Sequence, residues 1–191
     1  MMVSVVSAAA SAVRDAFAGR GVGVETVGQE LPCPLALEYA TLETLGADRW
    51  LGALAAHRRY GHAITVDCGT ATTVNLVTAD GVFRGGAIAP GLEAMANGLA
   101  RLAPALPRAD LDGRVSMPAP SSQLSVDAGV LLGYLGLVER LVAELRKVAP
   151  PCTVVLTGGN APRVLGRVGF DAVWAPDLLH EGMAALAGCI A

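Results

Sequence analysis

Hydrophobic positions along this chain fall into short blocks with two periods. The apolar block Ala63 to Val66 stops at Asp67-Cys68-Gly69-Thr70. A threonine-rich run follows, then a polar turn at Asp80-Gly81, then a second run closing on Gly85-Gly86-Ala87-Ile88-Ala89-Pro90-Gly91. Blocks of this length bounded by Gly and Asp predict a strand, a Gly-Thr turn, a strand, a tight turn and a third strand over 62–91. Shorter apolar runs predict further strands at Val3–Val6, Val22–Val27, Cys152–Leu156 and near Ala172–Trp174. Apolar residues recurring at three and four predict helices instead. One covers Ala8–Ala18, ended by Gly19 and Gly21. Another runs from Thr44 or Leu45 to Tyr60, stopped by Gly61. A third opens at Pro90-Gly91 and reaches about Leu102, and a long one spans Ser125–Val148. A short helix follows Thr157-Gly158-Gly159-Asn160, and a terminal helix starts at Asp177. Residues 28–43, with Pro32 and Pro34, read as an irregular loop, and the proline-rich residues 103–121 as a loop or lid.

From residue 62 the order is three strands, helix, helix, strand, helix, strand, helix. A meander of three strands followed by alternating helices and strands is the ribonuclease-H-like plan, and two such lobes make the actin-like kinase fold. The expected fold is therefore a three-layer α/β structure with a complete C-terminal ribonuclease-H-like lobe at 62–191. A truncated N-terminal lobe at 1–61, with a substrate-binding loop and helix, precedes it. The apolar strand at the very start has nothing ahead of it to pair with, so an upstream three-strand sheet is expected to be missing from this sequence.

Composition narrows the function. The 191 residues are 53% hydrophobic, with a mean hydropathy of +0.50, yet no stretch reaches about eighteen apolar residues unbroken, which argues against a membrane span. The N-terminus lacks a basic region before its apolar part and makes a poor signal peptide. A net charge of -3 and 4% aromatic residues argue against a nucleic-acid surface. Cys33, Cys68, Cys152 and Cys189 form no CxxC pair, so they read as buried reduced thiols of a cytoplasmic protein rather than a zinc site. Lys147 is the only lysine, and no glycine-rich loop precedes it, so a P-loop is absent. His57, His62 and His180 share no spacing and read as surface or capping residues.

The chemistry concentrates at Asp67-Cys68-Gly69-Thr70. An Asp at the end of a buried strand, followed by Gly and hydroxyls, suits phosphate and cation binding. Glycine lets a phosphate oxygen approach the backbone, threonine donates to it, and the carboxylate holds a cation. Read as bare residues, Asp67 has a turn cap as its alternative, although a buried strand ending in Asp-x-Gly-Thr is rarely just a turn, while Asp48 reads as a first-turn carboxylate favoured by the helix macrodipole and Arg49 as a surface arginine. On the same footing Tyr39 is a half-buried loop residue and Gly158-Gly159 a tight strand-to-helix turn.

Four motifs in order change that weighing: Gly46-Ala47-Asp48-Arg49, Asp67-Cys68-Gly69-Thr70-Ala71-Thr72-Thr73, Gly85-Gly86-Ala87-Ile88-Ala89-Pro90-Gly91 and Thr157-Gly158-Gly159. With Pro176-Asp177-Leu178 and Glu181-Gly182 near the end, the chain resembles the type III pantothenate kinases over essentially all its length. The resemblance implies transfer of the γ-phosphate of ATP, carried with magnesium, to pantothenate, the first step of coenzyme A synthesis. It further implies a homodimer and a monovalent cation, potassium or ammonium. In that reading Asp48 is the general base. Tyr39, Gly46, Ala47, Asp48, Arg49 and Ser122 bind substrate; Thr70, Gly158 and Gly159 bind ATP; and Asp67 holds the cation, while Thr72 and Thr73 belong to the next strand. Two departures stand out. The family's opening Asp-x-Gly-Asn-Thr turn is absent, and its Asn-Thr ahead of the long helix is here Ser121-Ser122. The first departure predicts little turnover by these 191 residues alone and leaves a second function open, a catalytically impaired homologue acting as a binding or regulatory partner.

Overall fold

The computed structural model describes residues 1–3, 7–113, 115–149 and 151–188. Its elements are α1 (Ser7–Ala18), β1 (Ala36–Leu37), α2 (Ala47–Tyr60), β2 (Ala63–Cys68), β3 (Ala71–Val77), β4 (Val82–Pro90), α3 (Leu92–Leu102), α4 (Ser122–Val148), β5 (Thr153–Thr157), α5 (Ala161–Val164), β6 (Val173–Trp174) and α6 (Leu178–Leu186), with a 3₁₀ turn at Leu42–Thr44. The chain divides into two compact units, one of Met1–Ala63, Val77–Gly85 and Asp177–Ala191, the other of Ile64–Leu76 and Gly86–Pro176.

The second unit holds most of the sheet, with neighbours in the order β4-β3-β2-β5-β6. Only Gly69-Thr70 separates β2 from β3, a link too short for anything but an antiparallel return. β5 and β6 run parallel, with Leu156 opposite Trp174. A meander at one side and parallel strands joined through a helix at the other is the ribonuclease-H-like topology, as the element pattern predicted. Alternation along the strands decides what each face buries. Ile64, Val66 and Cys68, Val74 and Leu76, and Val154 and Leu156 join one apolar cluster with Val130, Leu131, Tyr134, Val138 and Val142 of α4. From Leu131 onward these α4 residues follow one another at three or four positions, with Val130 beside the first, which gives the helix one continuous buried stripe. α4 starts at Ser122, earlier than the expected Ser125, because Ser121 caps it: its Oγ accepts from the Leu124 amide at 3.3 Å.

In the first unit, β1 pairs in parallel with the start of β4, Ala36 opposite Val82 and Leu37 opposite Phe83. The expected irregular loop at 28–43 therefore contains a short strand and runs into the 3₁₀ turn at Leu42–Thr44. α2 is capped by Gly46 and Gly61 and is buried almost all round, including Trp50, Leu51, Ala53, Leu54, Ala55 and Ala56. It packs on α6 closely enough that a Cβ on Gly182 would overlap the Leu51 carbonyl oxygen.

Three expectations need correction here. Val22–Val27 is not a ladder strand; Thr26 and Val27 make only isolated bridges, to Met2 and Leu31. Glu30 takes the Thr26 amide at 2.6 Å, closing a local turn in place of a ladder bond. Most of the strand expected at Val3–Val6 lies outside the described residues, as does Cys189. The cysteines and histidines also differ from expectation. Cys68 is buried, but Cys33 and Cys152 are only half-buried. His57 caps α2 through a 3.2 Å contact with the Gly61 carbonyl, and exposed His180 lies 3.9 Å from Asp177. His62 is half-buried, with its Nε2 buried and without a hydrogen-bond partner among the described residues.

Polar atoms inside the second unit's core are arranged as a chain. Tyr134, 1% exposed, crosses the apolar cluster to place its hydroxyl 2.7 Å from Thr72 Oγ1. The Cys68 thiol bonds to the same hydroxyl. Burial pushes the Cys68 thiol up from its ordinary 9.0 to about 11, and raises the Tyr134 phenol as well. Both groups therefore stay protonated in the fold. Because the folded thiol keeps a proton that the unfolded thiol releases, its contribution to stability is complete below pH 9.0 and is lost as pH rises toward about 11. At pH 8 roughly one Cys68 in 10³ is thiolate. Iodoacetamide at pH 8, read by peptide mass spectrometry, should label Cys33 well before Cys68, and urea unfolding should show lower stability at pH 10 than at pH 8. Labelling of Cys68 as fast as Cys33 in the folded protein would contradict this burial.

Candidate active site

Two groups of the residues singled out above assemble, one in each unit. In the second unit the exit of β2 is the centre. Asp67 is half-buried, Cys68 buried and Thr70 exposed. The Asp67 carboxylate meets the turn after β5: a Cβ on Gly158 would overlap Asp67 Oδ1 and lie 2.7 Å from the Cys68 backbone nitrogen. Gly158 also has φ +87, a conformation that side chains disfavour, so glycine is required there for both space and backbone. The Asn160 amide donates to the Cys68 carbonyl at 2.9 Å, which locks the two strand exits together. From the other side, the Gly91 amide donates to the Thr70 carbonyl at 3.1 Å. A Cβ on Gly91 would overlap the Gly69 carbonyl oxygen.

Three backbone segments thus converge on the exit of β2, where glycine at 158 and 91 leaves them in direct contact, with Thr70 and Gly159 exposed at the lip. At that lip a Cβ on Gly159 would meet nothing within 4 Å, so the backbone there is open to a ligand, and the exposed Thr70 hydroxyl beside it is a donor. No group of three or more His, Cys, Asp or Glu side chains able to hold a metal occurs among the described residues. A cation here would thus take a carboxylate from Asp67 and its remaining ligands from backbone oxygens, water and phosphate, the hard-oxygen set that potassium, ammonium or magnesium accepts. Ser122 sits exposed in the first turn of α4, and Ser121 beside it provides the cap. Asn160, 7% exposed, and Gly91 were not picked out as site residues. Asn160 was legible only as the residue after Gly-Gly, and Gly91 as a helix start and the end of the Gly85–Gly91 motif.

In the first unit the N-terminus of α2 gathers Tyr39, Gly46, Asp48 and Arg49. Asp48 folds back so that its Oδ1 accepts from the Arg49 amide at 2.9 Å. That oxygen occupies the space a Cβ on Gly46 would need, 2.5 Å away, so Gly46 makes room for the carboxylate itself. Arg49 is no surface residue: it is 6% exposed. Its Nη1 donates to the Tyr39 hydroxyl at 3.0 Å, and its guanidinium lies 5.5 Å from the Tyr39 ring centre and 5.8 Å from that of Phe83. Two ring faces hold the planar fork in one orientation, which suits a carboxylate or phosphate. Phe83 was missed because it read only as a strand residue. Ala47 sits against Gly28, whose Cβ, if present, would be 3.3 Å from the alanine methyl.

Comparison with known proteins gives a consistent answer. The family model described as type III pantothenate kinase matches residues 1–144. Proteins named type III pantothenate kinase are similar to this chain in Nitratidesulfovibrio vulgaris (42% identical, over 81% of this chain and 61% of that protein), Roseiflexus sp. (40%, 82% and 62%) and Desulfosudis oleivorans (38%, 78% and 60%). The chain spans about three fifths of the length of these curated relatives. Among solved structures, one titled as a conserved Baf family transcriptional activator from Campylobacter jejuni has the same fold, with a TM-score of 0.56 and 23% identity over 82% of this chain and 68% of that one. The match of a single family model to most of the chain, with relatives at about 40% identity, establishes that the chain belongs to the type III pantothenate kinase family.

Proposed function

We propose that this chain takes part in the ATP-dependent phosphorylation of pantothenate to 4'-phosphopantothenate, the first step of coenzyme A biosynthesis. The observation that carries this reading is the side-chain-free corner of Asp67, Thr70, Gly158 and Gly91, set in a chain of this family. Thr70 and the backbone of Gly158 and Gly159 receive ATP, whose magnesium neutralises phosphate charge when bound. Asp67 supplies the carboxylate of a potassium or ammonium site. Arg49, held by Tyr39 and Phe83, takes the substrate carboxylate, and Gly46, Ala47 and Ser122 shape the rest of the substrate site. Asp48 accepts the proton of the substrate's primary alcohol as that oxygen bonds to the γ-phosphorus and the bond to the β,γ-bridging oxygen breaks, releasing ADP. Positioning does most of the work in such a transfer, so the carboxylate need not be strongly basic.

The site residues divide between residues 1–61, read as part of an N-terminal lobe, and 62–191, read as the C-terminal lobe. The working form is proposed to be a cytoplasmic homodimer. No helix among the described residues is long and apolar enough to cross a membrane. The exposed side of α4 carries Gly129, Leu132 and Gly133 beside Met117, lining an open groove of about 460 Å³. Leu132 is 43% and Met117 70% exposed, apolar surface that a second copy would cover. Sedimentation at micromolar concentration should give the dimer mass; a monomer mass would overturn the assembly.

Asp48→Asn should abolish phosphorylation and leave pantothenate binding nearly intact, because the base acts in the transition state. Loss of a general base costs roughly 10² to 10⁴ in rate. The comparison is made in a chain long enough to include the Asp-x-Gly-Asn-Thr turn. Turnover within about threefold of the parent, well short of the loss a missing base imposes, would show that Asp48 is not the base.

A further inference from the structure

The turn that meets Asp67 does not hold itself. Asn160 is buried, and its side-chain oxygen accepts from Arg163 Nη1 at 2.9 Å. The other edge of that guanidinium is taken by one carboxylate: Nε donates to Asp112 Oδ1 at 3.0 Å and Nη2 to Asp112 Oδ2 at 3.1 Å. This is the two-pronged geometry in which an arginine is most tightly oriented. Asp112 belongs to the proline-rich residues 103–121, whose described residues form no helix or strand.

That segment is nonetheless pinned on the N-terminal side of Asp112. The Asp110 amide donates to Asp127 Oδ1 at 2.7 Å, and Gln123 Nε2 donates both to Asp127 Oδ1 and to the Arg108 carbonyl, at 2.8 Å each. Asp127 is 3% exposed, so its carboxylate is a fixed point on α4. The Asp112 amide in turn donates to Asp110 Oδ1 at 3.0 Å. A continuous polar path therefore runs from α4 through Asp127, Asp110 and Asp112 to Arg163, Asn160 and the Cys68 carbonyl at the exit of β2.

We propose that Arg163 is a positioning residue for the Gly158-Gly159-Asn160 turn, that Asp112 is its anchor, and that this pair sets nucleotide affinity. The inference rests on the reading of that turn as the ATP site. Stability and positioning separate cleanly here. The Asp112 side chain is 77% and the Arg163 side chain 31% exposed, so solvent screens the pair and its share of global stability is small. Its effect is on where the turn sits, because one rigid guanidinium joins two partners through three nitrogens, and the single ammonium nitrogen of lysine does not reproduce that spread.

The test is an NMR titration of the 191-residue chain with ATP and magnesium, beside thermal unfolding of each variant. Asp112→Asn and Arg163→Lys should each weaken ATP binding by about threefold to tenfold, with Tm within about 2 °C of the parent. The double variant should be no weaker than the weaker single one, because both changes break the same link. Parent-like ATP affinity in Asp112→Asn would overturn the inference and leave the ATP site standing. A loss of affinity accompanied by a large fall in Tm would mark the pair as structural and also overturn it. If the parent chain binds no ATP, the nucleotide reading of the turn fails and the positioning role falls with it.

Discussion

The close approach of three backbone segments at the exit of β2 is the constraint on which the rest of the second unit depends. Glycine at 158 and 91 allows that approach, and the amides of Asn160 and Gly91 fix it through the Cys68 and Thr70 carbonyls. If either glycine carried a side chain, strand ends and carboxylate would have to separate. The sheet order follows from the same requirement: β2 lies between β3 and β5, so that its exit is flanked by the turn that leaves it and the turn that leaves β5. A site made of backbone is indifferent to side-chain rotamers, which suits the binding of a polyphosphate.

The core behind that corner is apolar except where polarity is paired. Tyr134 spans the cluster from α4 and ends on Thr72 and Cys68, so one phenol satisfies hydroxyl and thiol on two neighbouring strands. Such a chain specifies register: a shift of β3 by one residue would turn Thr72 away and leave the phenol unsatisfied. Asp67, for which the cation role is proposed, thereby stands one position from a buried, fixed neighbour. In the first unit, α2 plays the matching part. Its burial on nearly all sides holds Arg49 and Asp48 at its first turn, and Tyr39 and Phe83 orient the guanidinium from two sides.

Much of this was legible in the residues. Period-2 and period-3.6 patterns located β2, β3, α2 and α4 to within a few positions, because each has a strongly buried face, while β4, α3 and α6 were marked by the glycine, proline and aspartate residues at their ends. Asp67 with Gly158, and Asp48 with Arg49, were visible as motifs. What escaped has a physical cause in each case. β1 is two residues long and is defined by its pairing with β4, which no local pattern records. Val22–Val27 looks like a strand, but Glu30 supplies the competing bond. Arg163, Asp112 and Asp127 are ordinary charged residues in sequence and acquire a role only from the tertiary path that joins them. The placement of Arg49 between two rings was equally invisible, since one ring comes from a loop and the other from β4.

The central claim is that the Asp67 corner receives the phosphates of ATP. Hydrogen exchange with and without ATP and magnesium addresses it directly, because a bound phosphate slows the opening of the amides around it. The account predicts slower exchange in peptides covering residues 67–70 and 158–160, with no change over α1. Unchanged exchange at both turns under saturating ATP, or protection confined to other parts of the chain, would contradict it.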